Sequence, residues 1–260
     1  MTMKIRIGMG QMRVVPGDVE ANMNRAIDMI HKAKGNGCQI VVLPECLDYG
    51  WTYPGAKELA QPIPGPLSDR LAEEARKTGL YIAAGLTEKE GKYLYNASVL
   101  LSPTGDILIK HRKINEVPFA RELYRRGDKL ETVSTPLGRI GLNICADNWP
   151  SSLSLGHSLG LMGAQILLSP CAWAVTPQDL AVRKPYGEEW RSAYSTLALT
   201  HGMAVIGTSN VGPVIGGAWD GWSCIGSSLA VDAGGNVIAK AEYGEDAEQL
   251  LAFDLAVELD

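Results

Sequence analysis

The sequence predicts a layered α/β domain with helices on its outer faces. Three observations carry this. Strand-like alternation and helical periodicity take turns through the first half of the chain. Helices followed by a meander of short, turn-bounded strands fill the second half. Finally, 46% of the 260 residues are hydrophobic, enough to bury a large core between layers. No internal repeat and no linker divides the chain, so residues 1–260 are expected to form one domain.

The elements follow in order. Residues 4–12 alternate, with Ile5, Ile7 and Met9 on one face, and read as a strand. Pro16 and Gly17 turn the chain. Asp18 can then cap a helix reaching about Gly35, with Met23, Ala26, Ile27, Ile30 and Ala33 along one side. Residues 38–45 read as a buried strand that runs into Pro44 and the carboxylate of Glu45. Residues 47–66 form a long loop holding Tyr49, Trp51 and Tyr53. Such loops often bind ligands, so Tyr49 is a candidate pocket residue, although its ring could equally anchor the loop. A helix over 67–78 closes at Gly79, and strands are expected over 80–87, 93–102 and 107–109. The basic run 110–113 and an irregular stretch, 114–128, come next. Strands over 130–134 and 139–145 precede a helix that Ser151 or Ser152 can cap. A buried strand over 165–169, a loop over 175–187, a helix over 188–202 and a strand over 203–209 follow. Strands over 222–232, 236–242 and 249–254 complete the chain.

Composition removes several function classes. The net charge is -5 and the only basic run is short, which argues against nucleic acid as a partner. No apolar run is long enough for a membrane span, and the N-terminus carries no secretory pattern. The five cysteines are scattered without a CxxC pair, and the four histidines are not at metal-ligand spacing. A cytoplasmic protein without a metal or organic cofactor is expected. The glycine-rich stretch 212–221 lacks any phosphate-loop pattern.

The chemistry concentrates where strands end. Glu45, Lys113 and Cys145 each follow an apolar strand, so neighbouring strands would bring them together at one sheet edge. A thiol nucleophile needs a base, and a carbonyl becoming tetrahedral needs a cation or N–H donors at its oxygen. Glu45 can be the base, Lys113 the cation, and the Ala146 N–H a second donor. A helix start and a lysine beside Cys145 would also lower its pKa. A structural Glu45–Lys113 ion pair and a Cys145 that merely packs as a small apolar residue remain as alternatives.

These same stretches resemble a known family. Leu43-Pro44-Glu45, His111-Arg112-Lys113 and Asn143-Ile144-Cys145-Ala146-Asp147 are similar to the Glu, Lys and Cys motifs of the nitrilase superfamily, the carbon–nitrogen hydrolases. The similarity extends through residues 79–85, 95–98, 163–170 and 226–236. It implies a four-layer αββα sandwich, homodimers or larger assemblies that pack helices together, and hydrolysis through a cysteine thioester without a cofactor. It also implies a second glutamate after the lysine, which holds that lysine and the substrate in register. Glu122 is the preferred residue for this place and Glu116 the rival.

The chain also departs from the family's pattern. Ala146 stands where an aromatic residue is usual, and Asn148 where members acting on carbamoyl amino acids carry arginine. Arg112 or Arg121 could replace that arginine. Trp149, Trp173, Tyr49 and Trp190 could wall an apolar pocket. The expected activity is therefore an amidase acting on a small or medium neutral amide. The early stop at Asp260 and Ala146-Asp147 weigh against a nitrilase. The intact Glu, Lys and Cys motifs weigh against a non-catalytic interaction protein on this fold.

Overall fold

The computed structural model describes residues 2–258; the chain end at Asp260, weighed above, lies outside the described residues. The first half runs β1 (Thr2–Gln11), α1 (Val19–Gly35), β2 (Ile40–Val42), α2 (Ala56–Leu59), α3 (Pro66–Thr78), β3 (Tyr81–Glu90), β4 (Tyr93–Leu101) and β5 (Ile107–Arg112). The middle holds β6 (Thr132–Thr135), β7 (Gly138–Leu142), α4 (Leu153–Leu161), β8 (Ile166–Cys171), β9 (Ala174–Val175) and α5 (Pro177–Ala181). The remainder is α6 (Glu188–His201), β10 (Ala204–Ser209), β11 (Val211–Pro213), β12 (Ser223–Ile225), β13 (Leu229–Val231), β14 (Val237–Lys240) and β15 (Gln249–Glu258).

Two six-stranded sheets form, ordered β15-β1-β2-β3-β4-β5 and β14-β13-β10-β8-β7-β6. In the first, β1, β2 and β3 pair in parallel; in the second, β7, β8 and β10 do. Antiparallel strands flank both parallel centres. A strand alternates its side chains between faces, and this decides the layering. Ile40 and Val42 of β2 join Ile7, Ile140, Leu142, Ile166, Leu168 and Ile206 in a core between the two sheets. Val41 faces the other way, onto Met23, Met29 and Ile30 of α1 and Leu71 of α3. Val205 and Leu167 likewise face Leu159 of α4 and Leu197 of α6. The layers are therefore α, β, β, α, as the resemblance implies.

Local chemistry explains how the layers meet. The Asp18 carboxylate accepts from the Ala21 N–H at 3.3 Å and caps α1. Gly10 lets β1 lie close beneath this helix, since a Cβ there would stand 3.2 Å from Met29 and 2.8 Å from Leu43.

Some expectations change. The strand expected over 222–232 breaks into β12 and β13. Gly226 and Ser227 between them have φ of 64° and 58°, which cannot continue a pleated strand. The stretch expected as a loop over 175–187 holds α5, capped by the Thr176 hydroxyl on the Asp179 N–H at 3.0 Å. Ser152 does not cap α4; its hydroxyl donates to the Ala146 carbonyl at 2.6 Å.

Ile206 is fully buried between the sheets, so truncation leaves a cavity that neither sheet can collapse into. Ile206→Ala is expected to cost about 2–5 kcal/mol. The check is a urea melt, in which the midpoint falls at unchanged slope.

Candidate active site

Glu45 leaves β2 in a tight turn that docks on the other sheet through its N–H, 3.2 Å from the Cys171 carbonyl. Gly85 of β3 makes room for it, since a Cβ there would come within 2.5 Å of the Glu45 Cα. The Asn96 amide of β4 donates to Glu45 Oε1 at 2.6 Å and fixes the carboxylate.

Lys113 follows β5 and is fully buried, its N–H bonded to the Asn96 carbonyl at 2.8 Å. Its Nζ donates to Glu45 Oε1 at 2.6 Å. Burial alone would push the ammonium down. The Glu45 and Glu116 carboxyls outweigh it and hold Lys113 well above its ordinary value.

Cys145 comes from the second sheet. It begins a 3-10 turn, Cys145–Asn148, with φ of 43°, a left-handed conformation uncommon outside glycine. Ser169 on β8 accepts from the Cys145 N–H at 3.1 Å and supports the turn from behind. The buried Asp147 carboxylate ties this turn to the lysine loop. It accepts from His111 at 2.8 Å and from the Ile114 and Asn115 N–H groups at 3.1 and 2.8 Å. Burial pushes Asp147 up, but His111 and the backbone donors pull it below the usual carboxylate range. Glu45 and Lys113 thus meet Cys145 across the gap between two sheets, rather than along one sheet edge.

The thiol also departs from expectation. Burial, the Cys171 thiol and the Glu45 carboxylate push Cys145 well above its ordinary value, and Lys113 opposes them without prevailing. The resting nucleophile is therefore a protonated thiol in electrostatic reach of a carboxylate that can take its proton.

The two candidates for the second glutamate are placed differently from expectation. Glu122 is exposed at the end of a 3-10 turn, Pro118–Glu122. Glu116 is the buried one, with Oε2 3.9 Å from Lys113 Nζ. The stretch expected to be irregular turns at Pro118, which carries Glu122 outward and leaves Glu116 inside. Both Glu116 carboxyl oxygens are buried without a hydrogen-bond partner among the described residues. Burial raises this carboxyl from its ordinary 4.5 to about 8, with Lys113 opposing and Glu45 adding to the rise. One ammonium between two carboxyls is balanced when one of them keeps its proton.

Cys145 and Glu116 open into a cavity of about 430 Å³. Ala146, Trp149, Trp173, Trp190 and Tyr186 line it, with Arg121 and Glu189. Trp173 stacks on Trp190 at 5.0 Å, and Trp149 meets Trp190 edge-on at 5.0 Å. The Ala146 N–H has no acceptor among the described residues, while its carbonyl is taken by Asn115 and Ser152. Of the expected pocket residues, Ala146, Trp149 and Trp173 are present. Tyr49 is not among them; it is buried in the loop, and its hydroxyl donates to the Leu59 carbonyl at 2.7 Å. Asn148 is buried and paired with Asn143 and Ser169, so it presents nothing to the cavity. Tyr186 was not foreseen, because it lies in a stretch without periodicity. Among the described residues no three His, Cys, Asp or Glu side chains form a metal-binding group.

Comparison with known proteins now bears on this geometry. The carbon-nitrogen hydrolase family matches residues 6–259. The chain belongs to that family. An omega-amidase of Xenopus laevis is 30% identical over 254 residues, covering 93% of this chain and 86% of that one. An omega-amidase of Xenopus tropicalis is 35% identical over 185 residues, covering 66% of this chain and 65% of the relative. That alignment spans just under two thirds of the relative's length. The crystal structure of a carbon-nitrogen hydrolase from Helicobacter pylori superposes with a TM-score of 0.84 at 25% identity, covering 97% of this chain and 89% of that one.

Two outcomes are expected. Glu116→Ala should lower kcat/KM by about 100-fold, the scale of a lost positioning contact, while Glu122→Ala leaves it nearly unchanged. Steady-state kinetics on the two purified variants decides between them, and the reverse order would restore Glu122. The second outcome concerns pH. The Glu116 carboxyl is raised in the fold, so its contribution is complete below about 4.5 and is lost as pH climbs through about 8. Wild type should lose stability against Glu116→Gln across that window in urea melts; parallel curves would refute it.

Proposed function

We propose that this chain is a cysteine-dependent amidase that converts a small or medium neutral amide to a carboxylic acid and ammonia, the whole chain acting as one hydrolase domain. The observation that carries the reading is the convergence of a buried Lys113–Glu45 pair and Cys145 at an aromatic-walled cavity.

The chemistry follows from the geometry. Cys145 Sγ attacks the amide carbonyl carbon while Glu45 accepts the thiol proton. Lys113 and the Ala146 N–H hold the oxyanion. Glu45 returns the proton to the nitrogen as the C–N bond breaks and ammonia leaves. Water, giving a proton to Glu45, then attacks the thioester; the acid departs and the thiol is restored. Glu116 holds Lys113 in place and faces the substrate. No cofactor enters these steps.

The walls argue for a neutral substrate. Trp149, Trp173 and Ala146 offer apolar contact, and the lining carries one cation, Arg121, against Glu116 and Glu189. A second reading is an ω-amide bearing a carboxylate. Arg121 lines the cavity, its Nε held by the Glu116 carbonyl at 3.2 Å, and two relatives are named omega-amidases. A nitrile attacked by the same cysteine is the remaining alternative.

The working form we propose is a cytoplasmic homodimer or larger assembly. Leu161 on α4 and Leu199 on α6 are 81% and 68% exposed, an apolar surface of the kind that packs helices between subunits. All five cysteines are free and buried. Among the described residues no helix is long and apolar enough to cross a membrane.

The test is ammonia release from neutral amides, ω-amides, carbamoyl compounds and nitriles. Neutral amides should be preferred, and Cys145→Ala should abolish release. A preference for ω-amides that Arg121→Ala removes would establish the second reading. Retained turnover in Cys145→Ala would remove the nucleophile.

A further inference from the structure

A second cavity, of about 540 Å³, opens on the other side of Arg121. Lys57, Lys89, Lys92, Arg121 and Arg125 line it, with Glu122 as the one carboxylate. This concentration stands in a chain whose net charge is -5. Many cations elsewhere are paired: Lys110 and Arg112, for example, both bind Glu88 at 2.6 Å. Among the described residues, Lys57, Lys92, Arg121 and Arg125 have no carboxylate within ion-pair distance. Lys89 donates to the backbone carbonyls of Lys57 and Glu58, at 2.8 and 3.4 Å, and so keeps its charge uncompensated.

The cations are held in place. Arg125 lies over one aromatic ring, that of Tyr93, at 4.1 Å, and Lys92 approaches the same ring at 5.3 Å. The Arg125 N–H is bonded to the Leu94 carbonyl at 2.8 Å, which pins the segment to β4. Like charges collected in a concave site repel one another and focus a positive potential there. A bound polyanion relieves that repulsion, and arginine with lysine is the pairing that holds phosphate oxygens.

We propose that this cavity is a binding site for a phosphate-bearing small polyanion, separate from the amide cavity and sharing Arg121 as a wall. The volume exceeds that of one phosphate group, which favours a di- or triphosphate. The ring of Tyr93 at the rim, 39% exposed, offers a surface to an organic body.

Isothermal titration of pyrophosphate into the full-length protein tests the site. Saturable binding is expected, weakening with added salt. The double variant Lys92→Ala/Arg125→Ala should bind about tenfold less tightly or worse, with amide hydrolysis and melting temperature unchanged. Arg125→Lys, which keeps charge but not the planar fork, should fall between the two. Tighter binding of a nucleoside triphosphate than of pyrophosphate would assign an organic body to the ligand; equal binding would assign the oxyanion alone. No saturable binding, equal affinity in the double variant, or binding of RNA without binding of pyrophosphate would overturn the proposal.

Discussion

A fully buried ammonium is the constraint on which the rest of this architecture depends. Moving an isolated ion of this size into a dry interior has an idealised cost of order 20 kcal/mol, so Lys113 can stay charged only where its partners are fixed. Glu45 supplies the countercharge through Oε1 at 2.6 Å, and the Asn96 amide donates to the same oxygen at the same distance. Gly85 admits the Glu45 backbone against β3. Glu116 stands at 3.9 Å and, raised to about 8 by its burial, adds a carboxyl without fully adding a charge. Each residue is explained by what the ammonium requires.

The same arrangement sets the chemistry. A thiolate beside Glu45 would place two negative charges together in a dry site, and the structure avoids this by keeping Cys145 protonated. In the proposed mechanism the proton moves to Glu45 as the thiol attacks, and Lys113 meets the oxygen that becomes negative. Preorganisation of this kind needs rigid support. The inter-sheet core supplies it on a large scale, and the Asp147 and Ser169 hydrogen bonds supply it at the turn.

Charge is distributed unevenly around the centre. The cavity at Cys145 is walled by stacked tryptophans, whereas the neighbouring cavity gathers unpaired cations. Arg121 belongs to both, on the 3-10 turn that carries Glu122 outward. That turn separates the two surfaces and sets which of the two glutamates is buried.

The sequence by itself determined a layered α/β fold with helices outside, because period-two and period-3.6 patterns state which face of each element must be covered; the αββα order was implied by the family resemblance. It also pointed to Glu45, Lys113 and Cys145 as one candidate cluster, since each stands at the end of an apolar strand within a family motif. Choices that depend on contacts between distant segments were left to the tertiary structure. Glu116 and Glu122 lie six residues apart in an aperiodic stretch, and the direction of the turn between them decided which one faces Lys113. Tyr49 carries the composition of a pocket residue, yet a hydrogen bond to Leu59 makes it an anchor. The pKa of Cys145 followed from burial and a nearby carboxylate rather than from the adjacent turn. The candidate site joins two sheets, and the distance between sheets is set by packing that no local pattern encodes.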